Sequence, residues 1–290
     1  MELILSTLIN GLSIGGRYAM IALGYTMVYG IAKMLNFAHG DIIMVGGYMI
    51  YVFMATKNPL LAILLSVVVC VLLGITIEKV AYKPLRGASP LAVLITAIGM
   101  SYLLQSLAQI IFGPDKQVVT VYDFGSLKLF GVTVQVSSLV TLGATVVVML
   151  VLTLFIKYTR LGRAMIAVSE DKGAAQLMGI NVNKIITVTF AIGSVLAALA
   201  GLFYLLKTPV IEPTLGAMPG IKAFTAAVIG GIGSIPGAML GGILLGMIEC
   251  ISSQIPAISP YTDAIEFAIL IVILLVRPTG FLGKKRREKV

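Results

Sequence analysis

Charge is what this 290-residue sequence has least of: 11% of its residues are charged, where a soluble domain carries about 25%. With 59% hydrophobic residues and a mean hydropathy of +1.05, it reads as an integral membrane protein. It has no tryptophan, one histidine (His39) and two cysteines, Cys70 and Cys250. Both cysteines lie inside apolar runs without metal-ligand spacing and read as buried, inert thiols. There is no HExxH and no nucleophile elbow. The nearest approach to a phosphate loop, Gly280-Phe281-Leu282-Gly283-Lys284, lacks the spacing and the Ser/Thr. The sequence therefore offers no site for ATP hydrolysis. Met1 to Asn10 carries Glu2 and no basic residue, which argues against a cleavable signal peptide.

What is there is a succession of apolar runs of roughly 20 residues, each long enough to cross a hydrocarbon core as a helix. Short alternating strands of the kind that build a transmembrane barrel are missing. The expectation is an all-α, polytopic transmembrane helical bundle forming one domain over 1–290, with about 8–9 spanning elements. The segment Gly113 to Gln135 is mixed and suits a hairpin or a surface helix. Ile221 to Ile251 is too long for one crossing, and Gly230-Gly231-Ile232-Gly233-Ser234-Ile235-Pro236-Gly237 divides it into two helices. The net charge of +9 is spread over short segments between apolar runs, which reads as topology and not as a nucleic-acid surface. Basic residues in short loops stay cytoplasmic. The loop Lys79 to Arg86, the loop 157–184 and the tail 277–290 are then inside, and Met1 is outside.

Ionisable residues within apolar runs are costly in hydrocarbon and are the default functional candidates. Arg17, His39, Asp41, Glu249 and Glu266 are such residues. Arg17 suits a path role, or a structural pair with Glu249 or Glu266. Asn36 is a candidate N-cap for the second run, which would place His39 and Asp41 near the positive, cytoplasmic end of that helix; helix-start electrostatics and a substrate or gating role both remain open for them. Small residues at four-residue spacing (Gly11/Gly15, Gly193/Ala197/Gly201, Gly237/Gly241, Gly242/Gly246) are packing ridges. In the glycine break, Ser234 is placed to cap and Pro236 to open a helix. The N–H groups from Gly237 onward then have two readings: a substrate carboxylate site, or a tight packing turn.

Three motifs carry a family resemblance: Asn10-Gly11-Leu12-Ser13-Ile14-Gly15-Gly16-Arg17-Tyr18-Ala19, Asn36-Phe37-Ala38-His39-Gly40-Asp41, and Arg277-Pro278-Thr279-Gly280-Phe281-Leu282-Gly283. Together with Ala22 to Ile31 and Gly230 to Gly237, they closely resemble the LivH-type permeases of branched-chain amino acid ABC importers over nearly the whole chain. In that light the interval 157–184 gains a role. Its Glu170-Asp171-Lys172-Gly173-Ala174-Ala175-Gln176-Leu177-Met178-Gly179 looks like the glycine-terminated coupling loop of importer permeases, with Glu170 and Asp171 at a helix start, Ala174, Ala175, Leu177 and Met178 forming an apolar knob, and Gly179 with Asn181 stopping the helix. The resemblance implies a bacterial inner-membrane subunit that transports leucine, isoleucine or valine by alternating access. It further implies a second homologous permease, two ATPase subunits carrying the ATP and Mg, and a periplasmic or lipid-anchored binding protein, with no cofactor on this chain. Urea and short-amide permeases share much of the pattern, and an ion-coupled secondary transporter is the alternative from another class. A reporter fused after Arg287 is expected to read as cytoplasmic; an external signal refutes the topology.

Overall fold

A computed structural model describes residues 2–119, 125–129 and 132–283. Met1 and the basic tail Lys284–Arg287, which enter the topology expectation, lie outside the described residues, as does Asp123 in the mixed segment. In chain order the helices begin with α1 (Glu2–Ala32), α2 (His39–Phe53), α3 (Pro59–Ile77) and α4 (Pro90–Phe112). Then come strands β1 (Gln117–Val118), β2 (Ser126–Leu129) and β3 (Val132–Gln135), followed by α5 (Val136–Tyr158), α6 (Arg160–Glu170), α7 (Lys172–Leu177) and α8 (Val182–Lys207). Strand β4 (Val210–Ile211), α9 (Ala217–Gly230), α10 (Ile235–Gln254) and α11 (Thr262–Val276) complete the order.

Helix starts follow a local rule. Asn58, Ser89 and Ser234 stand just before Pro59, Pro90 and the Ile235-Pro236 pair, and each side chain accepts a first-turn N–H, from Leu61 (3.3 Å), Ala92 (3.3 Å) and Gly237 (3.2 Å). The side-chain oxygen satisfies a donor that the helix itself leaves orphaned, and proline gives up none. Among the described residues, six stretches are long and apolar enough to cross a membrane: Pro59–Leu85, Pro90–Phe112, Val136–Tyr158, Val182–Lys207, Ile235–Gln254 and Ser259–Val276. The protein is a multi-pass helical membrane protein. By contrast α2 and α9, with 15 and 14 residues, reach only about 22 and 21 Å at 1.5 Å per residue, short of a ~30 Å core.

The chain forms two compact units. The first comprises Met1–Thr26, Phe124–Met149 and Lys222–Val290. Here the sequence's small-residue ridges meet: Gly11 and Gly15 of α1 lie against α10, and a Cβ added to Gly15 would stand 2.6 Å from the Cα of Ile243. Such backbone approach replaces the hydrophobic driving force that is missing between helices in lipid. Thr145 of α5 adds a hydrogen bond to the Gly16 carbonyl at 3.0 Å. The mixed segment contributes the β2–β3 hairpin, with Ser126 opposite Gln135.

The second unit comprises Met27–Asp123 and Leu150–Ile221. Its centre is α2, buried along most of its length and packed on α3 and α8. Gly201 of α8 sits so close that an added Cβ would lie 2.7 Å from the Ile43 carbonyl oxygen, and Ser66 of α3 donates to the Gly46 carbonyl at 2.8 Å. β1 pairs antiparallel with β4, Gln117 opposite Ile211. Gly15→Leu is expected to cost about 1–3 kcal/mol or more through overpacking, read as a lower unfolding midpoint in detergent. Gly143→Ala, which meets nothing within 4 Å, is the control that leaves the midpoint unchanged or higher.

Candidate functional site

The polar interval between α5 and α8 folds as two short helices. Thr159 caps α6 by accepting the Gly162 N–H at 2.9 Å, and α6 buries Met165 and Val168. Asp171 ends α6 and caps α7, accepting the Ala174 N–H at 3.0 Å. Glu170 therefore falls at the close of α6 and not, as expected, at the start of the next helix, α7, which runs only from Lys172 to Leu177. Its end is a Schellman motif: Ile180 N–H bonds the Ala175 carbonyl (3.0 Å), Gly179 N–H bonds that of Gln176 (2.9 Å), and Gly179 adopts φ +78°. Ala175 is buried, Ala174 is exposed, and Leu177 and Met178 stand 91% and 82% exposed. Two large apolar side chains at the tip of a polar hairpin are the chemistry of a docking knob.

The base of this hairpin is held from several sides. Lys172 Nζ donates to the carbonyl of Ala32, the last residue of α1, at 3.0 Å. Partial burial, with the Arg86 guanidinium nearby, holds the Lys172 ammonium below the usual lysine range. Beyond α3 a single π turn, Glu78–Tyr82, presents Glu78, which is fully buried. Glu78 is ion-paired with Arg86 and accepts from Thr187 of α8 at 2.8 Å, while Arg86 also donates to Asn183 of α8. Two groups, Arg86 and Thr187, thus satisfy one buried carboxylate, and Asn183 holds Arg86 in place.

The same turn reaches the second candidate region. Tyr82 donates to Asn36 Oδ1 at 2.9 Å and packs on Phe190, ring centroids 5.2 Å apart. Asn36 does not cap α2 as expected: the residue at the cap is Ala38, and the amide is turned toward Tyr82 instead. Residues 33–38 are non-helical, with Asn36 and Ala38 buried. His39 and Asp41, both 1% exposed, open α2, and Asp41 accepts from Gln105 of α4 at 2.9 Å. Fifteen residues separate Gln105 from Pro90, so Asp41 meets α4 about 22 Å from the start of that helix. Gly40 meets the backbone of Gly216, immediately before α9. Two interrupted helices therefore begin side by side.

In the first unit the glycine break forms as two helices, α9 and α10, joined at residues 231–234. Gly237 packs on the Gly230 backbone, and the C-terminal motif closes the turn: Phe281 and Leu282 N–H donate to the carbonyls of Ile229 and Gly230, both at 2.9 Å. Gly280 at φ +73° and Gly231 at φ +102° make that approach feasible. The cap on Gly237 by Ser234 is present, in a turn filled by the protein's own chain. Arg17 is half-buried beside Gly15 and Gly16. Glu249 and Glu266, its suggested partners, face Lys222 of α9 at 3.4 and 3.3 Å.

The family model "Branched-chain amino acid transport system / permease component" matches residues 7–274. The chain belongs to this family. It is 45% identical to the high-affinity branched-chain amino acid transport system permease protein BraD of Pseudomonas aeruginosa, over 99% of this chain and 98% of that protein. To LivH of Escherichia coli K12 it is 42% identical, over 99% and 97%. The fold is shared with PsaBC from Streptococcus pneumoniae, solved in complex with Fab: TM-score 0.50 at 15% identity, over 96% of this chain and 92% of that one.

The permease gives two candidates partners that the sequence did not indicate: Asn36 meets Tyr82, and Asp41 meets Gln105. Sequence reasoning missed Glu78, Gln105 and Lys222. Lys222 had a readable signal, a lone cation inside the apolar run from Ile221, of opposite sign to Glu249 and Glu266. Glu78 had none, because it adjoins a basic loop and reads as an ordinary helix end. Arg86→Ala, which strands the buried Glu78 carboxylate, is expected to cost about 3–5 kcal/mol. The double variant E78Q/R86M should recover most of that in detergent unfolding, and a deficit left undiminished refutes the pairing.

Proposed function

We propose that this chain is the transmembrane permease subunit of an ATP-driven importer for branched-chain amino acids. It works as one permease domain in the bacterial inner membrane, with a second homologous permease, two ATPase subunits that carry ATP and Mg, and a periplasmic or lipid-anchored binding protein. The observation that carries the reading is near-full-length identity above 40% to permeases named for that transport, joined to an exposed apolar knob at Leu177 and Met178. Nine elements cross: the six long stretches, α1, and the short α2 and α9. Residues 33–38 extend α2, and the segment after β4 leads into α9. This count places Met1 outside and the tail 277–290 inside.

In this mechanism the ATPase dimer grips α7, with Glu170 and Asp171 at its base, Ala174 and Met178 in the groove, and Gly179 ending the helix. Movement of α7 pulls on Ala32 through Lys172, and on α8 through the Schellman turn. Both routes converge on Tyr82, Asn36 and the start of α2, where His39 and Asp41 line the path beside Gly40 and Gly216. Arg17, Ser234 and Gly237 are the path candidates of the first unit. ATP drives transport because its closed ATPase state binds one arrangement of α7 better than the other. Gly179→Asp removes the residue suited to φ +78° and adds charge beside the knob. It should leave membrane insertion intact while lowering ATPase association and leucine uptake about tenfold or more. Undiminished leucine uptake refutes the coupling role, and ATP-dependent urea uptake without leucine uptake by the wild-type complex refutes the substrate.

A further inference from the structure

The cluster around Lys222 has a stoichiometry that a structural ion pair does not need. The Lys222 ammonium lies 2.8 Å from Asp263 Oδ1, 3.3 Å from Glu266 Oε2 and 3.4 Å from Glu249 Oε2. Tyr18 closes another side: its ring centroid is 5.9 Å from Nζ, and its hydroxyl donates to Glu249 Oε2 at 2.6 Å. An –NH3+ group has three donors and no acceptor, and here it is met by three carboxylates and an aromatic ring. One counter-charge would suffice to hold α9, whereas each further buried carboxylate adds a desolvation cost. Glu266 is fully buried and accepts from Lys222 only through Oε1, at 3.5 Å; its Oε2, 3.3 Å from the ammonium, accepts no hydrogen bond among the described residues. Arg17, next to Tyr18 in α1, is the other cation nearby.

We propose that Glu249, Asp263, Glu266 and Tyr18 form a binding site for a primary ammonium group. In this conformation Lys222 fills it with its own side chain, and during transport the α-ammonium of the amino acid exchanges with it. The exchange rests on the amino-acid reading above; the ammonium site does not. Replacing one ammonium with another leaves the net charge of the cluster unchanged throughout, so exchange adds no new uncompensated charge in the membrane. Asp263, with its side chain 54% exposed, is the rim; Glu249, at 24%, follows; Glu266 is innermost. The displaced Lys222 is then free to meet the substrate carboxylate, so both charges of the zwitterion have a partner.

The test uses the assembled transporter with its partner subunits. In the Lys222→Ala complex, millimolar methylammonium should raise the unfolding midpoint, tetramethylammonium should not, and the wild type should respond to neither. No response to methylammonium, or an equal response to tetramethylammonium, overturns the site. If Lys222→Ala does not assemble, methylammonium present during purification should restore the yield of the longer Lys222→Gln variant, and no restoration overturns the site equally. The exchange is read separately in Glu249→Gln, where leucine moved per ATP hydrolysed should fall about tenfold, the worth of one charge-assisted hydrogen bond. A proportionate fall of uptake and hydrolysis reduces the cluster to a structural tie and overturns the exchange, leaving the methylammonium result to stand or fall alone.

Discussion

Backbone polar groups in an apolar medium must find partners within the protein, and two helix breaks of this permease answer to that constraint. A helix break leaves orphaned carbonyls on one side and orphaned N–H groups on the other. At the α9–α10 break the N–H side is met by Ser234, and the carbonyls of Ile229 and Gly230 are met by Phe281 and Leu282. At the α1–α2 break the Ala32 carbonyl is met by the Lys172 ammonium. The breaks persist because something distant in sequence serves each of them.

That dependence gives the breaks their mechanical meaning. Lys172 belongs to the coupling hairpin, so the end of α1 is bonded to the element an ATPase is proposed to grip. Glu78 ties the other flank: its carboxylate draws Arg86 and Thr187 together, and Arg86 reaches Asn183 two residues after the residue that caps α8. A buried carboxylate with several polar partners is stiff, because displacing any one of them exposes the charge. On the proposed coupling, a force applied at α7 would meet this stiff base and pass on to residues 33–41.

The architecture was legible where physics is local. Apolar length gave the six long stretches, Ser234 with Pro236 gave the α10 start, and the four-residue glycine spacing gave the contact faces of α1, α8 and α10. Site residues such as Asn36 and Asp41 were recognisable as candidates because polar groups in apolar runs stand out. Their partners were not, since Tyr82 and Gln105 lie 46 and 64 residues away and no periodicity links them. The Asn36 cap was misjudged for the same reason: a local capping rule lost to a distant phenol hydroxyl. Likewise Glu170 looked like a helix start until Asp171 proved the better cap, one residue on.

The C-terminal motif has a consequence for assembly. Helix α9 ends at Gly230, but the N–H groups that cap it belong to Phe281 and Leu282, made only after α10 and α11 have been synthesised. During translation the terminal carbonyls of α9 stay unserved until then, and its 14 residues are short of a bilayer's hydrocarbon thickness. The order of synthesis thus makes α9 a provisional element, fixed in place only when the chain doubles back to it after two further helices.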